Sequence, residues 1–204
     1  MDEKFYEDLK EKIQPYFEEV GSHSFDHTER VYNLAVRIAE SENVDLNIVK
    51  VSVLLHDIAR KKQDECEGEI CHAEEGAKMA EEILNEINFP KEQINKICEA
   101  IKIHRLSKGI HAETDVAKIL QDADRLDSLG AILIARSFSS GSQYKRPFYD
   151  SSGGRSVIKF IEDRNAKILP DNFNTETAKE FARKRYDFAQ EFVERFKKEM
   201  EGEL

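Results

Sequence analysis

Apolar residues recur along this chain at three- and four-residue spacing and almost nowhere alternate, so helices are expected throughout and strands are not. Phe5, Leu9, Ile13, Phe17 and Val20 mark a first helix, with an interruption expected near Pro15. GSHSFDHTER then leads into a second helix striped by Val31, Leu34, Ala35 and Ile38. Asp26 is its expected N-cap, with Glu29 three residues on as in a capping box. Asp45 is expected to cap a third helix that runs to about Arg60. Its apolar residues, in NIVKVSVLL, cover nearly the whole circumference, which predicts a central, buried helix. The polar segment KKQDECEGEI reads as a loop. Beyond it come a helix through Ala77, Ala80, Ile83 and Leu84, and another from Pro90 carrying Ile94, Ile97, Cys98 and Ile101. A long helix is expected from Thr114 through Val116, Ile119, Leu120 and Ala123 and on through LGAILIA. SFSSGSQYKRPFYDSSGGRS breaks the pattern and predicts a long loop over 137–156. Two more helices follow, one over Val157 to Leu169 and one from Ala178 to Phe196. The expected fold is all-α: one compact helical bundle over 1–204, with no linker between separate domains.

Several polar side chains interrupt these apolar faces. His56 and Asp57 end the most buried helix, in LLHDIAR. Asp124 lies four residues from Leu120 and Asp127 four from Ala123, so both carboxylates fall on or beside one buried stripe. His104 extends the stripe of Ile97 and Ile101, and His27 stands four residues before Val31. An unpaired buried carboxylate costs several kcal/mol or takes up a proton, so burying these groups separately would need several independent partners. One divalent cation held by His27, His56, Asp57 and Asp124 satisfies them together. Imidazole and carboxylate suit Mn, Fe, Co, Ni or Zn, and Mg is also compatible. Taken singly, each residue is better explained as a surface group or an ion-pair partner; the set is what points to a metal. Cys66, Cys71 and His72 lack a fourth ligand at good spacing for a separate zinc site. His111 reads as a loop residue, and His23 as a surface residue or a neighbour of His27.

Composition narrows the function classes. No stretch reaches the roughly 20 apolar residues of a membrane span, so no membrane partner is expected. Three cysteines, an odd number, argue against a disulfide framework and for a reducing cytoplasm. A net charge of -10 argues against wide nucleic-acid binding, which needs phosphate neutralisation, but not against a small anionic substrate beside a metal ion.

SHSFDHTERV, LLHDIAR, HAEEGA, IKIHR and LQDADRLDSLGA, in that order, resemble the HD superfamily of metal-dependent phosphohydrolases, in particular its small single-domain branch. The resemblance covers about residues 20–136, with 137–156 as a loop and 157–200 as C-terminal helices. It implies a metal held by His27, His56 with Asp57, and the distant Asp124, and hydrolysis of phosphoester or phosphoanhydride bonds in a nucleotide. A nucleoside triphosphate is the expected substrate. Asp57 is the candidate catalytic residue, binding the metal and orienting water. His72 and His104 resemble the extra histidines of two-metal branches. One metal is nevertheless expected, with His72 and His104 contacting substrate or backing the ligands, because neither HAEEGA nor IKIHR supplies an additional bridging carboxylate. Arg30, Lys61, Arg105, Lys108 and Arg125 are candidate phosphate contacts. Lys145 and Arg146 could close over a polyphosphate, with Tyr144, Phe148 and Tyr149 stacking on a base. Asp127 is a candidate substrate contact or support for the ligands, and Glu74 or Glu75 a weaker candidate general base. Two other readings stay open: an HD-type oxygenase with two irons, and a non-enzymatic module that binds a nucleotide or metal.

Overall fold

The computed structural model describes residues 1–18, 24–105 and 108–203. Val20 and His23 therefore lie outside the described residues. Helices make up the ordered architecture, and no strand occurs among the described residues. The chain divides into two compact units, 1–124 and 125–204.

In the first unit, α1 (Glu3–Ile13) ends one residue before a short 3₁₀ turn, Gln14–Tyr16, where Pro15 removes a backbone donor. The second helix, α2 (Phe25–Glu42), is capped by Ser24 rather than Asp26; Asp26 instead lies in the first turn, where its charge suits the positive helix end. Next come α3 (Leu46–Leu55), α4 (Arg60–Glu65), α5 (His72–Glu86), α6 (Lys91–Ile103) and α7 (Asp115–Leu126). As expected, α3 is buried on nearly every side and packs against α1, α2, α5 and α6. Its Leu54 and Leu55 share one core cluster with Ile83, Leu84, Ile97 and Ile101.

The third helix is shorter than expected. It stops at Leu55, and His56 is its C-cap. The backbone then closes four-residue turns, Ile58 N–H to Leu55 C=O at 3.3 Å and Arg60 N–H to Asp57 C=O at 2.9 Å. A new helix, α4, begins at Arg60 and takes up the first half of the segment expected to be a loop, which is non-helical only from residue 66. The His-Asp pair thus sits at a helix end, not inside a helix. Apolar periodicity runs straight across the break, because Ile58 and Ala59 are as buried as the helix before them.

The second unit contains α8 (Gly130–Gln143), α9 (Val157–Lys167) and α10 (Glu176–Glu201), each packed against the other two. The helix expected to run from Thr114 through LGAILIA is broken: α7 ends at Leu126, and Leu129 is extended. Gly130 has φ +67°, a left-handed conformation that favours glycine. The expected loop is also shorter, because α8 continues to Gln143. Its serines and glycine read as a loop but serve packing. Ser137 Oγ donates to the Leu133 carbonyl at 2.7 Å, and the Val157 side chain occupies the space where a Cβ on Gly141 would stand.

A Cβ built on Gly130 would meet Arg185 Cβ at 3.1 Å, in addition to the cost of its positive φ. Gly130→Ala should therefore lower stability by about 1–3 kcal/mol, read as a fall in the urea midpoint at unchanged slope.

Candidate metal centre

Helix ends bring the candidate side chains together within the first unit. His56 caps the C-terminus of α3 and His104 caps that of α6. Each turns its ring back on its own helix: His56 Nδ1 lies 2.7 Å from the Val53 carbonyl, and His104 Nδ1 2.6 Å from the Ile101 carbonyl. A carbonyl can only accept, so each Nδ1 carries the proton and each Nε2 presents a lone pair. The same carbonyls also accept from the histidines' own backbone N–H groups, at 3.3 Å for Val53 and 3.4 Å for Ile101, so each cap residue is held at two points. His72 is the first residue of α5, and His27 lies in the first turn of α2.

Asp57 stands between two sets of imidazoles. Its Oδ2 faces His27 Nε2 at 3.7 Å and His56 Nε2 at 3.8 Å. Its Oδ1 faces His72 Nε2 at 3.2 Å and His104 Nε2 at 3.5 Å. Asp124, on α7, brings Oδ1 to 3.4 Å from His27 Nε2. Two groups have ligand atoms within 4.8 Å of one another: His27, His56 and Asp124, and Asp57, His72 and His104. All but Asp124 are buried; its side chain keeps 28% of its exposure and opens the cluster to solvent. HAEEGA and IKIHR add no carboxylate to either group, but Asp57 offers one oxygen to each side.

The donor set fits a divalent cation. His56 Nε2 is buried with no hydrogen-bond partner. His72 Nε2 and His104 Nε2 lie only 3.3 Å apart. Two lone pairs at that distance, beside a buried carboxylate, repel unless something positive stands among them. Burial alone would lower the His104 pKa, but the hydrogen bond and charge of Asp57 outweigh it and the pKa is raised. Burial lowers His56, and it pushes His72 down to about 3. Burial would raise Asp124, yet hydrogen bonding to and the charge of His27 hold it well below the usual carboxylate range.

The other sequence candidates are distributed as follows. Arg105 places Nη1 3.5 Å from both Gln63 Oε1 and Cys71 Sγ. Burial would raise the Cys71 thiol, but bonds from the Glu74 backbone, Lys108 and Arg105 bring it down to about 7. Lys108 pairs with Glu74 at 2.6 Å, and Glu75 pairs with Lys62 and Lys78; both glutamates are engaged at the surface of the unit. Arg30 is half-buried on α2. Lys61 is exposed and lines a cleft with Tyr16, Ile58 and Lys78 that none of the clustered histidines or aspartates lines. Within the second unit, Arg125 donates to the Asn172 carbonyl at 2.9 Å, and buried Asp127 pairs with Arg136 at 2.9 Å. Arg146 lies over the Phe160 ring, 4.8 Å from its centroid, and Lys145 is exposed. His111 is exposed outside any helix, and no metal group among the described residues includes a cysteine.

Sequence reading missed two supports. Gln63 Oε1 lies 2.8 Å from His72 Nδ1. Gln121, fully buried on α7, donates from Nε2 to the Ile103 and Ile110 carbonyls at 2.8 and 3.0 Å, tying down the backbone beside His104. A glutamine within an apolar stripe was the available signal for Gln121. Gln63 sits in a polar run and gave none.

A sequence model of the family described as HD domain matches residues 24–129, just over half of the chain. A predicted HD superfamily hydrolase from an uncultured Thermotogales bacterium is 32% identical, with a TM-score of 0.72 over 95% of this chain and 92% of that one. An HD-superfamily hydrolase from Bacillus thuringiensis is 29% identical, with a TM-score of 0.79 over 97% of each chain. Bacillus subtilis YpgQ, an uncharacterized protein solved in complex with ADP, is 28% identical, with a TM-score of 0.73 over 95% of this chain and 97% of that one. Among the described residues no helix is long and apolar enough to cross a membrane.

The buried imidazoles set a pH dependence in the chelator-treated protein. His72 stays neutral when folded, while the unfolded chain takes up its proton below about pH 6.5. Stability is therefore lost as pH falls from 6.5, at up to about 1.4 kcal/mol per pH unit for one proton. His104, with a raised pKa, acts in the opposite sense. His72→Gln should shrink the loss between pH 6.5 and 5 by about 1–2 kcal/mol, read by urea denaturation in EDTA; an unchanged slope would contradict the buried neutral imidazole.

Proposed function

This chain belongs to the HD domain family, and from that premise we propose that it is a metal-dependent phosphohydrolase acting on a nucleotide, most simply a nucleoside triphosphate. The observation that carries the proposal is the convergence of imidazole Nε2 atoms on the Asp57 carboxylate, with the Asp124 carboxylate beside His27. On this reading His27, His56, Asp57 and Asp124 hold one divalent ion. Asp57, His72 and His104 offer a second position that shares the Asp57 carboxylate. Bound there, a divalent cation lowers the pKa of a coordinated water and polarises a phosphoryl oxygen.

Charge supports an anionic substrate. With neutral imidazoles the cluster carries two negative charges, from Asp57 and Asp124. One divalent ion neutralises them, and a second leaves an excess of positive charge that attracts a polyanion. Asp57 is the candidate catalytic group, since it faces both sets of imidazoles and can accept a hydrogen bond from the attacking water. Arg30 and Arg105 are proposed to hold phosphate oxygens, and Lys61 is a further candidate. The nucleotide preference draws on the family and on the ADP complex of YpgQ.

Turnover of nucleoside mono-, di- and triphosphates and cyclic nucleotides should be compared with Mn, Mg, Co and Ni, with phosphate and pyrophosphate release measured separately. Asp124→Ala should keep its helicity, bind metal weakly and lose at least about 100-fold in turnover. Full metal occupancy and activity in Asp124→Ala would rule out the ligand assignment. Turnover that requires iron and oxygen would point to the oxygenase chemistry instead, and stoichiometric metal without turnover to a binding module.

A further inference from the structure

Gln63 has no sequence signal, yet its side-chain oxygen meets three donors or potential donors. Oε1 lies 3.1 Å from the His72 backbone nitrogen, 2.8 Å from His72 Nδ1 and 3.5 Å from Arg105 Nη1. A backbone N–H and a guanidinium can only donate. These two contacts require the amide atom facing them to be the oxygen, which settles the orientation of the Gln63 side chain. An amide oxygen only accepts, so the imidazole nitrogen at 2.8 Å must carry the proton. The opposite nitrogen, Nε2, is then left as a lone pair facing Asp57 and His104.

His72 differs here from its neighbours. His56 and His104 are fixed by carbonyls of their own helices, three residues back. His72 opens α5 and has no preceding helical turn to bond to, so its tautomer depends on a side chain from α4. A competing bond exists. Asp57 Oδ1, 3.2 Å from His72 Nε2, would draw the proton to that nitrogen if nothing held it at Nδ1. A proton on Nε2 would block it as a ligand. We propose that Gln63 is a positioning residue: it locks His72 in the Nδ1–H tautomer and so keeps Nε2 available at the Asp57–His72–His104 position. The ligand role of His72 rests on the function proposed above; the tautomer itself does not.

The test separates the two. Long-range ¹H–¹⁵N spectra of chelator-treated protein, at neutral pH and with the His72 signal assigned by its loss in His72→Gln, report which ring nitrogen bears the proton. Wild type should show His72 as Nδ1–H. Gln63→Leu should shift it toward Nε2–H, and Gln63→Glu, which restores an acceptor, should return it to Nδ1–H. A wild-type His72 that is already Nε2–H, or a Gln63→Leu protein that stays Nδ1–H, overturns the proposal. The wild-type spectrum is decisive even if Gln63→Leu fails to fold. Calorimetric titration with Mn²⁺ or Ni²⁺ then reads the consequence. Affinity at one of two ion positions should fall about 10–100-fold in Gln63→Leu and recover in Gln63→Glu, with the other position unchanged. Equal affinities in Gln63→Leu and wild type overturn the link from tautomer to metal. A wild-type protein that binds no metal overturns the metal reading and leaves the tautomer result to stand on its spectra.

Discussion

Three buried ring nitrogens with fixed lone pairs, and a carboxylate between them, cannot share one small volume without a cation. This electrostatic constraint organises the first unit. His56 Nε2, His72 Nε2 and His104 Nε2 all face the Asp57 carboxylate from buried positions. Low local polarisability strengthens both the attraction to any positive charge and the repulsion without one. The perturbed proton affinities of His56, His72, His104 and Asp124 are consequences of the same crowding.

Helix termini make the crowding possible. A side chain in mid-helix shares its face with neighbours a turn away, whereas a C-cap residue can fold its ring back onto a carbonyl of the last turn, three residues before it. His56 and His104 do this in the same way on α3 and α6. The bond stabilises the helix end and aims the ring with one contact. Around them, apolar packing of α3 against its neighbours keeps water from most of the cluster, while the partly exposed Asp124 leaves it reachable from solvent. Rigid helix ends rather than loops hold most of the chemistry, and that is what orientation-dependent ligands require.

The second unit illustrates how small residues mislead. Serines and a glycine in SFSSGSQ suggested a mobile connection, but they form the end of α8, where Gly141 admits Val157 from α9. Asp127, one turn beyond Asp124 by sequence spacing, was grouped with it on pattern alone. In the structure its carboxylate pairs with Arg136. Two aspartates of like spacing thus receive unlike partners, one an imidazole and the other a guanidinium.

Sequence alone determined the all-α class, the buried third helix and the coincidence of His27, His56, Asp57, His104 and Asp124 with apolar faces. Periodicity records which face is buried, and a polar residue on that face stands out because its burial must be compensated. Tertiary structure decided the rest. The break after Leu55 was invisible because Ile58 and Ala59 continue the apolar run, and Gly130 alone gave little warning of the turn after Leu126. Asp57 as a carboxylate shared by two sets of histidines could not be read from order along the chain, because its two oxygens are distinguished only by what surrounds them. Gln63 lay in a polar run with nothing to mark it, and its role exists only because α4 brings it to the ring of His72.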